Sequence, residues 1–299
     1  MIPVAVPISR AQSRVAEYVQ LARPRVAVMV LVTVLLGGWL AAVGSAPTER
    51  LLNAVLSTAL VTVSASALNQ YLERDSDARM RRTMNRPLPA GRLAPAEVLA
   101  FGALIGGIGI AYQILTLPPA AVAATVFTLV SYVAVYTPSK TRTNLNTLIG
   151  AVPGAMPPVI GWTAVRGQID AGALALFLVL FFWQVPHFLA IAWMYRDEYR
   201  RAGHKMLPVD DATGAITSRQ MLIYLTALLP ASLLAGQAIG GGWIVVVSAF
   251  ALAAYYLMPV LAFCRQPGYA PAKAILRASI VYLPALLGMF LAAKQLPNL

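Results

Sequence analysis

Residues 51–77 read Leu51-Leu-Asn-Ala-Val-Leu-Ser-Thr-Ala-Leu-Val-Thr-Val-Ser-Ala-Ser-Ala-Leu-Asn69-Gln-Tyr-Leu-Glu73-Arg-Asp-Ser-Asp77. The part up to Leu72 carries no charge and is long enough to cross a bilayer, which takes about 20 residues. At its foot stand Asn69, Glu73 and Asp77, four residues apart. On a helix such positions drift by only about 40° per step, so an amide oxygen and two carboxylates face the same way. Hard oxygen donors in this arrangement suit Mg²⁺, which takes one or two carboxylates plus substrate phosphates. The ordinary alternative is a solvated helix end, where charges collect at a membrane boundary. Against it, Arg79, Arg81, Arg82, Arg86 and Arg92 follow directly. Their forked guanidinium groups match phosphate oxygens, so metal ligands and phosphate ligands arrive together.

Composition extends the membrane reading to the whole chain. Hydrophobic residues make up 59% and charged residues 11%, far from the quarter charged of soluble domains. Uncharged stretches cover residues 26–48, 51–72, 98–139, 143–165, 171–195, 220–264 and 278–293. The two longest each need a break, and Pro118-Pro119 and Gly240-Gly241-Gly242 supply one apiece. The sequence therefore predicts an all-α integral membrane protein of nine transmembrane helices, forming a single polytopic domain over residues 1–299.

A net charge of +12 raises nucleic acid as a partner, but the positions of the charges exclude it. With the N-terminus inside, twenty basic residues fall on inner segments; only Arg50, Arg166 and Lys294 fall outside. The positive-inside rule accounts for this without any nucleic acid. Nine of the eleven acidic residues share the inner side, Glu49 and Asp170 being the exceptions, so the chemistry should face the cytoplasm. Residues 1–25 hold no apolar core of signal-peptide length. The expectation is a multi-pass protein of a bacterial inner membrane, with a short cytoplasmic N-terminal segment, cytoplasmic active-site loops and an outer C-terminus. Cys264, the single cysteine, reads as a packing residue.

The motif Asn69-x-x-x-Glu73-x-x-x-Asp77, followed by Arg82-Thr-x-Asn-Arg86-Pro-Leu-Pro and by Tyr136-Thr-Pro-Ser-Lys140, resembles the UbiA superfamily of intramembrane prenyltransferases. Within it, Gly150 to Trp162, Trp183-Gln-Val-Pro-His187-Phe, Arg196-Asp197-Glu-Tyr199 and Lys205-Met-Leu-Pro208 are similar to the branch that farnesylates protohaem IX. The resemblance covers nearly the whole chain. It implies a nine-helix bundle that uses Mg²⁺ and joins farnesyl diphosphate to haem B, with membrane lipid as surroundings and a downstream haem-modifying enzyme as a partner. Asn69, Glu73 and Asp77 are then the metal ligands, and Arg82, Arg86, Lys140, Arg142 and Tyr136 surround the diphosphate. One departure is plain: the second Asp-x-x-x-Asp of quinone-precursor enzymes is missing, and only Asp197 stands as a second-site metal ligand.

The two histidines are the expected haem-side residues. His187 lies within the apolar sixth span, where an ionisable residue is expensive and usually functional. Either haem iron or a hydrogen bond to a neighbouring helix would satisfy it. His204 lies in an inner loop, within reach of a diphosphate or a haem propionate. The quinone or chlorophyll precursor enzymes of the same superfamily are the runner-up. A transporter is disfavoured, because the charges gather at one face rather than at the bilayer midplane.

Overall fold

The computed structural model describes residues 14–45 and 47–295. Arg10 and residues 296–299, on which the outer C-terminus was expected, lie outside the described residues. Among those described, nine helices are long and apolar enough to cross a membrane: Pro24–Ala41, Thr48–Asp77, Pro95–Thr116, Pro119–Ser139, Asn146–Arg166, Ala171–Met194, Ala215–Ala238, Trp243–Arg265 and Tyr269–Gln295. They are numbered here as the first to ninth spans. Both expected breaks are present, at Leu117-Pro118 and across Gly240 to Gly242.

Small residues let the spans approach closely. The first and fifth cross where a Cβ on Gly161 would lie 2.7 Å from the Val34 carbonyl carbon and 2.8 Å from the Gly38 nitrogen. The second and third pack along Gly102, Gly106 and Gly109, and Ser64 donates to the Gly102 carbonyl at 2.7 Å. This is how helices associate where lipid is as apolar as their side chains. The largest buried apolar cluster gathers residues from the fifth to ninth spans, with Tyr256, Tyr282, Phe263 and Phe290 among its fully buried members.

Two spans depart from regular α-helix, both beside the site. The fourth widens into a π-helical segment, Ser131–Tyr136, just before Pro138. Proline offers no N–H and crowds the carbonyl four residues back, and a wider turn accommodates it. The fifth divides into Asn146–Gly154 and Pro157–Arg166, where Pro153, Pro157 and Pro158 interrupt the hydrogen-bond ladder. Sequence periodicity shows one apolar stretch here and hides the break.

The second span runs on to Asp77, beyond the apolar boundary at Leu72. The acidic cluster therefore stays helical and buried instead of opening into a loop. A short helix, Arg14–Ala22, precedes the first span and is tied to the 78–94 loop by Arg92 donating to Glu17 at 2.8 Å. Helices Arg196–Ala202 and Leu207–Asp210 structure the loop after the sixth span.

Candidate active site

A cavity of about 620 Å³ opens among the spans, and its charged residues collect at one end. Glu73 and Asp77 come from the last turns of the second span, Arg82 and Arg86 from the 78–94 loop that follows it, and Lys140 from just past the fourth span. Below them the wall is apolar and aromatic, with Val26, Val30, Val61, Ile160, Leu180, Trp183 and Phe188. The third, seventh and eighth spans contribute no lining residue and pack behind the others.

The charged end is built from two pairs, each a buried carboxylate with a half-buried cation. Glu73 meets Lys140 at 2.5 Å, and Asp77 accepts from Arg86 at 2.5 Å. Thr83 donates to the Asp77 carbonyl at 2.9 Å and folds the loop so that Arg86 returns to the helix end. Lys140 also lies 4.6 Å from the centre of the Tyr136 ring, a cation over an aromatic face. Burial opposes its charge, but Tyr136 and Glu73 outweigh burial and hold Lys140 above its ordinary pKa. Burial, reinforced by the neighbouring Arg23, presses Arg86 down from its ordinary value. Gly150 makes room for Tyr136: a Cβ there would collide with the edge of the ring.

Whether these residues suit Mg²⁺ is answered by their oxygens. Asp77 Oδ1 and Asn69 Oδ1 are buried acceptors with no hydrogen-bond partner, a condition native proteins rarely tolerate. Asn69 donates to Thr137 at 3.0 Å, which turns its nitrogen away and leaves the oxygen free. Asn69 is fully buried and does not itself line the cavity. Among the described residues no group of three or more His, Cys, Asp or Glu could hold a metal. Two carboxylates, an amide oxygen and substrate phosphates nevertheless fit the usual Mg²⁺ donor set.

Of the predicted residues, the structure brings Glu73, Asp77, Arg82, Arg86, Tyr136, Lys140 and His204 to the cavity wall. Four do not line it: Asn69, fully buried and bonded to Thr137, and three that stand elsewhere. Asp197 is largely solvent-exposed and paired with Arg200 at 3.0 Å, because the short helix Arg196–Ala202 turns that face outward. Arg142 is exposed on the loop beyond Lys140. His187 does not line the cavity; its Nδ1 shares a 2.7 Å hydrogen bond with Ser279 of the ninth span, and its ring stacks on Trp183. The interhelical partner is therefore the one the structure supplies. Ser279→Ala and His187→Ala should each lower thermal stability modestly, near the roughly 0.6 kcal/mol typical of such bonds, and leave the affinities for the two substrates expected from the sequence, farnesyl diphosphate and haem B, in proportion. Selective loss of haem affinity in His187→Ala would reverse this placement.

Sequence reading counted Arg23 only as one more inner charge, and the structure gives it a larger part. It lines the cavity, its Nη2 is buried without a hydrogen-bond partner, and its charge reaches Glu73, Asp77 and Arg86. Its φ of 50° makes it the one non-glycine residue with positive φ among those described. Left-handed backbone is strained for arginine, and such strain gathers at functional sites. Arg23→Gly relieves the backbone and removes the guanidinium. Thermal stability should hold while the KM for the expected prenyl diphosphate rises ~10-fold, the loss of one charge-assisted hydrogen bond. An unchanged KM would assign Arg23 to folding. Tyr199 was also missed; its hydroxyl accepts from Arg82 at 3.1 Å.

This end-charged cavity inside a nine-span bundle is accompanied by a sequence match over most of the chain. The model of the UbiA prenyltransferase family matches residues 30–281. The chain belongs to the UbiA prenyltransferase family. It is similar to a protoheme IX farnesyltransferase of Solibacter usitatus, 38% identical over 284 residues that cover 92% of this chain and 97% of that one. In fold it is similar to a solved digeranylgeranylglyceryl phosphate synthase, with a TM-score of 0.77, 14% identity and coverage of 95% and 99%. A UbiA homologue from Archaeoglobus fulgidus bound to DMAPP and Mg²⁺ also shares the fold, with a TM-score of 0.65, 16% identity and coverage of 93% and 99%. Within this family fold, Tyr136 of the π-helical segment packs on Gly150 of the fifth span.

Proposed function

We propose that this chain moves the farnesyl group of farnesyl diphosphate to a vinyl group of haem B with addition of water, giving haem O and diphosphate. The observation that carries the reading is one cavity with two chemistries. Arg23, Arg82, Arg86 and Lys140 crowd one end, and an uncharged, mostly apolar wall with aromatic rings and scattered threonines occupies the rest. An amphiphilic prenyl diphosphate matches that division, and a porphyrin is at home against Trp183 and Phe188. The name of the Solibacter relative supports the choice of acceptor.

In this reading Asn69, Glu73 and Asp77 hold Mg²⁺, which when bound neutralises charge growing on the leaving diphosphate. Arg23, Arg82, Arg86 and Lys140 supply preorganised donors to the same oxygens, and burial strengthens each of them. The allylic C–O bond breaks with its electron pair going to diphosphate. The walls of the second, fourth and fifth spans keep bulk water from the allylic cation until the vinyl carbon attacks it. Water then caps the new cation as a hydroxyl, and the proton it gives up is taken by the released diphosphate.

The same reading treats residues 1–299 as one domain in a bacterial inner membrane, with the charged end facing the cytoplasm as the basic loops require. Membrane lipid surrounds the bundle, and a haem-modifying enzyme takes up the product. The test offers purified protein haem B and a hydroxybenzoate acceptor together, with farnesyl diphosphate and Mg²⁺. Farnesylated haem alone is expected; prenylated hydroxybenzoate would move the chain to the quinone branch.

A further inference from the structure

Two cytoplasmic loops meet over the charged end, and a buried histidine hangs from their junction. Gly203, at φ 78°, closes helix Arg196–Ala202 and turns the chain back. The His204 N–H then donates to the Tyr199 carbonyl at 2.9 Å, and the imidazole stacks on the Tyr199 ring at 5.8 Å. The next residue joins the other loop: the Lys205 N–H donates to the Lys140 carbonyl at 2.7 Å. Asn146, fully buried, donates from one amide nitrogen to the Lys205 carbonyl at 2.7 Å and to the Thr143 carbonyl at 2.6 Å. These bonds fix His204 relative to Lys140 and so to Glu73.

His204 is 4% exposed, lines the cavity, and has no hydrogen-bond partner on either ring nitrogen. Two orphan nitrogens on one buried ring point to a ligand that occupies this space in the working protein. The charges that face it are Glu73 from the second span, Arg79 and Arg82 from the 78–94 loop, and Lys140 from beyond the fourth span. Three cations to one carboxylate favour an anion. Burial holds the ring at a pKa of about 4, so at neutral pH it is a neutral imidazole that presents one N–H donor and one acceptor.

We propose that His204 is a ligand of the substrate's diphosphate and that Asn146 is the positioning residue that sets it there. The inference rests on the prenyl-transfer reading. It moves His204 from the haem side of the site to the diphosphate side. The N–H donates to an oxygen of the phosphate, while Arg82 and Lys140 flank the same anion. A haem carboxylate offers similar oxygens, and the experiment separates the two.

Inorganic diphosphate with Mg²⁺, and separately haem B, are titrated against purified wild type, His204→Ala, His204→Gln and Asn146→Ala. His204→Ala should weaken diphosphate binding and raise the KM for farnesyl diphosphate by ~10-fold or more, as expected for a hydrogen bond to a charged group, with haem affinity unchanged. His204→Gln, which keeps a donor, should recover part of the loss. Asn146→Ala should shift the same constants in the same direction, and combining it with His204→Ala should add little, since the two act through one contact. Should the alanine variants fail to fold, wild type decides. The chain has two histidines, so isotope-labelled histidine NMR resolves both rings, and Mg²⁺-diphosphate should move the signals of His204 while haem B leaves them in place. Unchanged diphosphate affinity in folded His204→Ala, or His204 signals that answer to haem B instead, would overturn the inference. Diphosphate binding through His204 in a protein that made no haem O would overturn only the acceptor assignment.

Discussion

Asp77→Asn is expected to lower turnover by ~100-fold or more at saturating Mg²⁺, within the range for losing one preorganised electrostatic contact to a developing charge. The substitution keeps the shape of the side chain and removes its charge. It affects both partners of Asp77, since Oδ2 holds Arg86 and Oδ1 is the unpartnered oxygen offered to the metal. Glu73→Gln should lose turnover to a similar degree, through the metal and through Lys140. Diphosphate release, followed by a coupled assay on folded protein, measures both. Near-normal turnover in either variant would remove that residue from the metal site.

Lys140→Met should be among the most destabilising single changes near the site. Glu73 is buried and Lys140 is only 15% exposed, and deleting the cation leaves a buried carboxylate without compensation, at a cost of about 3 kcal/mol or more. The double variant Lys140→Met with Glu73→Gln removes both charges and should regain much of that stability. Turnover should stay lost in both proteins, because neither keeps the cation beside the diphosphate. Thermal melts paired with turnover separate the two effects. If the double variant melted as low as the single, the pair would not be the source of the stability.

Sequence made the spans and the site's nucleus legible for simple physical reasons. Apolar runs bounded by charge mark helices that must satisfy their backbone inside lipid, and Asn69, Glu73 and Asp77 share a face by helical spacing alone. Lys140 and Tyr136 were reachable because one turn of helix separates them. Arg23 was not, since its importance comes from a left-handed backbone at a helix junction, and the residue before a proline ordinarily reads as extended. His187 misled because an imidazole in an apolar run demands a partner without saying which. Ser279 lies 92 positions away, and only packing of the sixth span on the ninth brings it near. Motif similarity points to Asp197, but it lies on the solvent side of its helix. The clamp between Asn146 and Lys205 depends on two loops meeting, which no local pattern encodes.

The most direct measurement of the central claim is the mass of the pigment formed when purified protein, haem B, farnesyl diphosphate and Mg²⁺ react in heavy-oxygen water. The expected product is haem carrying one farnesyl group and one heavy hydroxyl oxygen, formed in equal amount with diphosphate and absent with Asp77→Asn. Unmodified haem B, or diphosphate release with no change in haem mass, would contradict the account.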